Sequence, residues 1–149
     1  MPTKASFMMQ AFEQAELAAH RGEVPVGAVI VHKGKILAAD GNRTLELKDP
    51  TAHAEILVIK KAAQALNSER IGHCDLYVTL EPCAMCAGAI SFARIRRLYY
   101  GASDKKSGGV EHGGRFFIQS TCHHAPEIYP GLMETECRTL LKTFFKKKR

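Results

Sequence analysis

Pro25-Val26-Gly27-Ala28-Val29-Ile30-Val31, then His32-Lys33-Gly34-Lys35, then Ile36-Leu37-Ala38-Ala39-Asp40, is the stretch that decides the fold. The first segment is an unbroken, valine-rich apolar run and reads as a strand buried on both faces. Lys33-Gly34 reads as a hairpin turn, and residues 36–40 return as a second strand. Upstream, Phe7, Met8, Ala11, Phe12, Ala15, Ala18 and Ala19 recur at helical spacing and predict an amphipathic helix over residues 4–20. Downstream, residues 42–51 are polar and end in Asp49-Pro50, a loop leading into a helix over 53–66. A third strand over 75–80 stops at Glu81-Pro82, because proline disfavours helical geometry in the residue before it. Residues 84–94 read as a helix, 98–101 as a strand and 103–114 as a glycine-rich loop. Residues 116–118 read as a weak strand or helix fragment. Met133, Cys137, Leu140, Leu141, Phe144 and Phe145 outline a last amphipathic helix. This order predicts a three-layer α/β/α sandwich around a mixed sheet.

The chain has 149 residues, which suits one domain over 1–149. It is 46% apolar and 24% charged, which excludes a disordered tail, a collagen-like repeat and a coiled coil. The longest apolar run, residues 24–31, is far short of the roughly twenty needed to span a bilayer, so no membrane association is expected. No targeting signal is visible. The five cysteines are an odd set (Cys74, Cys83, Cys86, Cys122, Cys137), which argues against a disulfide framework and for a reducing cytoplasm. Cys74, Cys122 and Cys137 read as ordinary buried thiols. The net charge of +6 is concentrated. Lys142, Lys146, Lys147, Lys148 and Arg149 form one acid-free cluster. Arg94, Arg96, Arg97, Lys105 and Lys106, with Asp104 among them, form another. Two basic clusters on a mildly acidic body fit a polyanion such as nucleic acid, and equally a solvated surface with a cation-rich helix C-terminus.

Two short segments carry chemistry: His53-Ala54-Glu55 and Pro82-Cys83-Ala84-Met85-Cys86. Each opens a helix, and each alone is weak. Together they offer one imidazole and two thiols, a ligand set that zinc takes in tetrahedral geometry with the fourth position left for water. Zinc lowers the pKa of such a water to about 7. Two thiolates in the first turn of a helix are favoured by its free N–H groups. Glu55, two residues from His53, is placed to take a proton from that water and return it to the leaving amine. The plain readings are a first-turn acid complementing the helix dipole for Glu55 and a redox pair for the cysteines. His73, His112, His123 and His124 are not needed as ligands.

The paired motif is the known signature of zinc deaminases, and the sequence resembles the cytidine deaminase-like zinc hydrolases. Within them it looks like the branch that deaminates adenosine in tRNA. The likeness runs through Glu23-Val24-Pro25-Val26-Gly27-Ala28-Val29, Gly41-Asn42-Arg43, residues 49–56, residues 76–89 and Gly101-Ala102-Ser103-Asp104. The T-L-E-P-C form, the G-N-R segment and the basic last helix favour the tRNA branch. The resemblance implies a five-stranded sheet, a homodimer and one Zn²⁺ per subunit. It also implies hydrolytic deamination of adenosine to inosine at the first anticodon position of a tRNA anticodon stem-loop. By the same resemblance His53, Cys83 and Cys86 bind the metal, and Glu55 shuttles protons. Asn42 bonds the base beside the main chain of Ala54, and Val26 walls the pocket. Asp104, Lys106 and Phe145 match RNA-contacting positions, against plain readings as a turn-forming acid, a solvated lysine and a core phenylalanine. Lys105 stands where the family often has proline.

Two alternatives use the same residues differently. A deaminase of free guanine, cytosine or a nucleoside needs the same metal site but no cationic groove. A zinc-stabilised RNA-binding module needs a closed four-ligand site and leaves Glu55 without a task.

Overall fold

The hairpin forms as read, and the rest of the sheet is built outward from it. The computed structural model describes residues 2–148, so Met1 and Arg149, the end of the basic tail, lie outside the described residues. Strand β1 (Gly27–His32) and strand β2 (Lys35–Gly41) pair antiparallel. Lys33 and Gly34 both take positive φ (53° and 78°), as a two-residue turn matching the strand twist requires. Strand β3 (Cys74–Leu80) pairs antiparallel with β1 on its other side. Strands β4 (Arg97–Ala102) and β5 (Glu127–Tyr129) continue parallel to β3. The sheet order is β2-β1-β3-β4-β5, so the sheet is mixed and five-stranded.

Helices α2 (Ala54–Leu66) and α3 (Ala84–Ala93) cover one face. Ala28, Ile30, Leu76, Val78, Leu98 and Tyr100 point to that side and meet Ala54, Val58, Ala62, Ala87 and Ile90. Helix α1 (Lys4–His20) lies on the other face, where Phe7, Met8 and Ala11 meet Val29, Val31, Tyr77 and Tyr99. Helix α4 (Glu134–Lys148) crosses beside it, over β4. Alternate residues of β1 therefore enter two different cores, which is why the run from 25 to 31 carries no polar break. The architecture is the three-layer α/β/α sandwich. No helix among the described residues is long and apolar enough to cross a membrane. All five cysteines are free, with Cys74 and Cys137 buried and Cys122 only partly so.

One local reading is settled and one strand is added. Residues 116–118 form a short 3₁₀ turn, the helical alternative of the reading rather than a strand. The fifth strand is Glu127–Tyr129, lying between Pro126 and Pro130 with too few residues to show a period of two. Tertiary contacts hold it. Tyr129 stacks on Tyr99 (ring centroids 4.9 Å apart), which stacks on Tyr77 in turn (4.4 Å). Helix α4 buries only Cys137 fully, so its apolar stripe is a thin seam, and Phe145 is exposed.

Asp40 ties β2 to the site-bearing elements. Its buried carboxylate accepts from Gly41 N–H and Arg43 Nε on one oxygen (both 2.8 Å) and from Lys61 Nζ of α2 on the other (2.9 Å). Burial pushes its pKa up, but the Lys61 and Arg43 hydrogen bonds outweigh that and hold it below the ordinary value of 3.8. A depressed folded-state pKa contributes stability above the unfolded value and loses it as pH falls through the folded one. Asp40→Asn is therefore expected to cost about 2 kcal/mol at neutral pH, the worth of charge-assisted bonds. The gap from the wild type should close as pH drops below 3.8, as read by urea unfolding at several pH values.

Close packing of α1 on the hairpin depends on Gly27. A Cβ there would run into the backbone of Ala11 and Ala15 and lie 2.9 Å from the carbonyl carbon of Gln14. Gly72 has only Arg94 O near its Cβ position, at 3.6 Å. Gly27→Ala is expected to destabilise by about 3 kcal/mol or more, and Gly72→Ala by less than about 0.5 kcal/mol. Thermal unfolding of the two variants side by side checks this.

Candidate metal centre and substrate groove

Two helix starts converge at one point. His53 is the N-cap of α2 and Cys83 the N-cap of α3, and neither side chain caps its own helix. Both are thereby left free to face each other across the α2–α3 seam. The chain before α2 is held by Arg43 N–H to Ala52 O (3.0 Å) and His53 N–H to Thr51 O (2.7 Å). Pro82 stops β3 and lets the chain turn into α3 with Cys83 and Cys86 in its first turn.

Ligand atoms of His53, Cys83 and Cys86 all lie within 4.8 Å of one another. His53 Nδ1 is 3.7 Å from Cys83 Sγ and 3.4 Å from Cys86 Sγ. Tetrahedral bonds of about 2.0 Å to nitrogen and 2.3 Å to sulfur put such atoms about 3.5 Å apart. The donor set thus fits a small tetrahedral ion in both spacing and chemistry, with room for a fourth, non-protein ligand. No other such cluster of His, Cys, Asp or Glu occurs among the described residues.

Within the cluster the groups shift one another. Cys83 is pushed down to about 4, first by the hydrogen bond from Cys86 and further by His53. Cys86 is pushed strongly up, since it supplies that proton and is buried. The Cys83 hydrogen bond raises His53. Glu55, in the first turn of α2 and almost fully buried, is raised to about 7, chiefly by burial. A carboxyl poised near neutral pH beside a metal-ligand cluster suits proton transfer in either direction.

Asn42 and Val26 stand beside the cluster. Asn42 donates its N–H to Val26 O (3.0 Å), and its side-chain oxygen accepts from Ala54 N–H (2.8 Å). This fixes the carboxamide so that only its NH₂ remains to meet a ligand. Val26 and Ala54 are buried at the same place.

Asp104, Lys106 and Phe145 lie farther out. All three line a groove of about 1440 Å³, Asp104 and Lys106 on the wall formed by the 103–107 loop and Phe145 on the α4 wall, with Lys142, Lys146 and the paired Arg138 and Glu134. None of the three metal-ligand candidates lines this groove; it adjoins them through Leu80, at the end of the strand leading to Cys83. Asp104 Oδ1 accepts from Lys106 N–H and Ser107 N–H (3.1 and 2.9 Å), so its carboxylate closes its own turn. Lys106 and Phe145 are exposed on the groove walls, which is not where a core phenylalanine would sit.

Two residues that the motif reading left without a role support the site. Glu23 is buried and accepts from the N–H groups of Leu45 and Glu46 (3.1 and 2.9 Å), fixing the segment that follows Asn42. Glu81 is buried and accepts from N–H groups and a ring nitrogen of the 104–112 segment. Burial pushes Glu81 up, but these donors, led by Asp104 N–H and the His112 ring, outweigh it and hold it below its ordinary value. Their sequence signal was an acid placed directly against an apolar strand.

The chain matches the MafB19-like deaminase family model over residues 3–149. It is 59% identical over 149 residues to the tRNA-specific adenosine deaminase of Agrobacterium fabrum, covering 100% of this chain and 98% of the relative. It is 39% identical over 143 residues to the protein of that name in Bacillus subtilis, covering 96% and 89%. A structure solved in studies of A-to-I editing by tRNA:A34 deaminases at the wobble position of transfer RNA superposes with a TM-score of 0.92. That pair is 60% identical and covers 93% of this chain and 100% of the other. The guanine deaminase of Nitrosomonas europaea shares the fold alone, with a TM-score of 0.82 at 20% identity over 97% of this chain and 85% of the other. By the span of the family model and by identity over its whole length, the chain belongs to the deaminase family that includes the tRNA-specific adenosine deaminases.

Proposed function

We propose that the chain converts adenosine to inosine at the first anticodon position of tRNA, by hydrolysis and with release of ammonia. Identity of 59% over the full length to a tRNA-specific adenosine deaminase carries the reading. The His53, Cys83 and Cys86 donor set and the cationic groove support it. Zinc is the ion that set suits, one per subunit; when bound it supplies Lewis-acid activation of a water molecule.

This chain's own residues do the rest. Glu55 accepts a proton from the attacking water and passes it to a ring nitrogen, then takes the remaining proton from the new C6 hydroxyl and delivers it to the departing amine. The water oxygen becomes bonded to C6, and the bond from C6 to the exocyclic nitrogen breaks. Asn42 donates to the base through the NH₂ left free by its bond to Ala54 N–H. Val26 and the main chain at Ala54 wall the pocket. The adenosine has to be splayed out of its loop to reach this depth, which an anticodon loop allows at low cost. Asp104, Lys106 and Phe145 bear on the RNA from the two sides of the groove, Asp104 by shaping the turn that carries Lys106. Lys142 and Lys146 face the phosphates, beside Arg138, which pairs with Glu134.

A homodimer is part of the proposal. Met85 and Phe92, seven residues apart on α3, and Ile118 on the adjoining 3₁₀ turn are exposed apolar side chains that support a self-association face. With tRNA as substrate, the protein belongs in the cytoplasm.

The zinc-loaded protein is expected to form inosine in an anticodon stem-loop bearing a wobble adenosine, and little from free adenosine or guanine, as read by mass spectrometry of the digested RNA. Turnover of free guanine alone would move the protein to the free-base reading. Glu55→Ala is expected to keep its zinc and its RNA affinity and to lose about 10³-fold in turnover. Unchanged turnover in that variant would remove the proton-transfer role.

A further inference from the structure

We propose that Glu81 and His112 form a clamp that positions the 103–112 segment as one wall of the RNA groove. The clamp sets affinity for the folded anticodon arm and takes no part in the chemistry. The inference rests on the tRNA reading above and concerns how that substrate is held.

Glu81 ends β3 with its carboxylate fully buried, and no Lys or Arg among the described residues pairs with it. One oxygen accepts from Asp104 N–H (3.0 Å) and His112 Nδ1–H (2.8 Å). The other accepts from the N–H groups of Val110 (3.2 Å), Glu111 (2.9 Å) and His112 (3.1 Å). An ionised carboxylate only accepts, so the ring proton sits on Nδ1. The charge is thus met by a ring of main-chain dipoles and one imidazole, all contributed by a single loop.

That loop has little else to hold it. It is polar and glycine-rich, and Val110 is its one buried large apolar side chain. Gly109 N–H donates to Pro82 O (2.8 Å), and a Cβ on Gly109 would lie 2.7 Å from Ala84 N. A Cβ on Gly108 would strike the Glu81 carboxylate. The loop is therefore seated on the turn that carries Cys83, and from there Asp104 folds the tip that presents Lys105 and Lys106 to the groove. His112 is partly exposed and lines the same groove. Weakening the clamp frees the wall that carries the lysines and leaves the metal-ligand candidates on their helices.

The test uses zinc-loaded wild type, His112→Ala, His112→Asn and Glu81→Gln, with steady-state kinetics on the wobble-adenosine stem-loop and zinc content and melting temperature in parallel. His112→Ala is expected to raise KM about tenfold, the loss of one charge-assisted hydrogen bond, with kcat within about twofold. Zinc content should hold, and the melting temperature should fall by no more than about 10 °C. Asn keeps an N–H near the Nδ1 position, so His112→Asn should restore KM. Glu81→Gln, which sets an NH₂ against backbone N–H donors, should be the worse of the two clamp variants if it folds. Hydrogen exchange at the amides of Asp104, Val110 and Glu111 should accelerate in His112→Ala whatever the substrate. An unchanged KM overturns the proposal, as does a fall in kcat that tracks lost zinc. An Asn variant as weak as the Ala variant also overturns it, since the ring itself would then be the contact. Failure of the wild type to form inosine sinks the tRNA reading instead, and exchange rates unchanged in His112→Ala would then sink the clamp separately.

Discussion

Everything at this site depends on two helices beginning at the same place. Helices α2 and α3 start with their N-caps turned toward each other, and each N-cap spends its side chain on the cluster rather than on its own free N–H groups. The two helix ends converge where a Cys83 thiolate is held in a half-buried position, first by the Cys86 hydrogen bond and further by His53. They also face the same point as the buried Glu55 carboxyl, which burial holds near neutrality. The sheet exists, in functional terms, to bring those two helix starts together. Strands β2 and β3 flank β1, run parallel to each other and end beside its start, so they deliver the chain to both helix starts at one edge of the sheet, β2 through the 42–52 segment and β3 through Pro82.

The fold was legible where a segment's pattern was decided by its own residues. The hairpin, the two motif-bearing helices, β3 and β4 all follow from apolar runs, turn residues and proline stops within the segment. Strand β5 was not legible, because three residues between prolines have no periodicity, and its place comes from the Tyr77–Tyr99–Tyr129 stack and from Arg97 beside Glu127. The metal-ligand candidates were legible because zinc chemistry restricts residue type and spacing so tightly. Phe145 and Cys137 show the limit. Both sit on the apolar stripe of α4, yet Cys137 is buried and Phe145 exposed, because α4 touches the sheet along one narrow line. A stripe says that some face is covered, not how wide the cover is.

Glu23 and Glu81 escaped a reading that ranked acids by catalytic motif. Each is an acid at the border of an apolar strand, and each is nearly inaccessible to solvent. A buried carboxylate without a lysine or arginine would normally cost several kcal/mol. Here each is met by backbone N–H groups of a loop that has no other way to satisfy them. The carboxylate and the loop solve each other's desolvation problem, and the result is a fixed loop made of polar residues.

This arrangement also suits a surface that meets a polyanion. A loop facing RNA has to be polar, so apolar burial cannot anchor it, and an anchoring acid left exposed would repel phosphate. Turning the acid inward resolves both difficulties. At the groove, Glu81 faces the core while Lys105, Lys106, Lys142 and Lys146 are exposed, with no carboxylate among the described residues within ion-pair distance. Asp104 keeps its carboxylate on the N–H groups of its own turn. Glu134, the other acid on the groove, pairs with Arg138, so each acid there is met locally and these lysines are left without an ion-pair partner among the described residues. The sign of the groove follows from which way each side chain turns as much as from the count of charges in the chain.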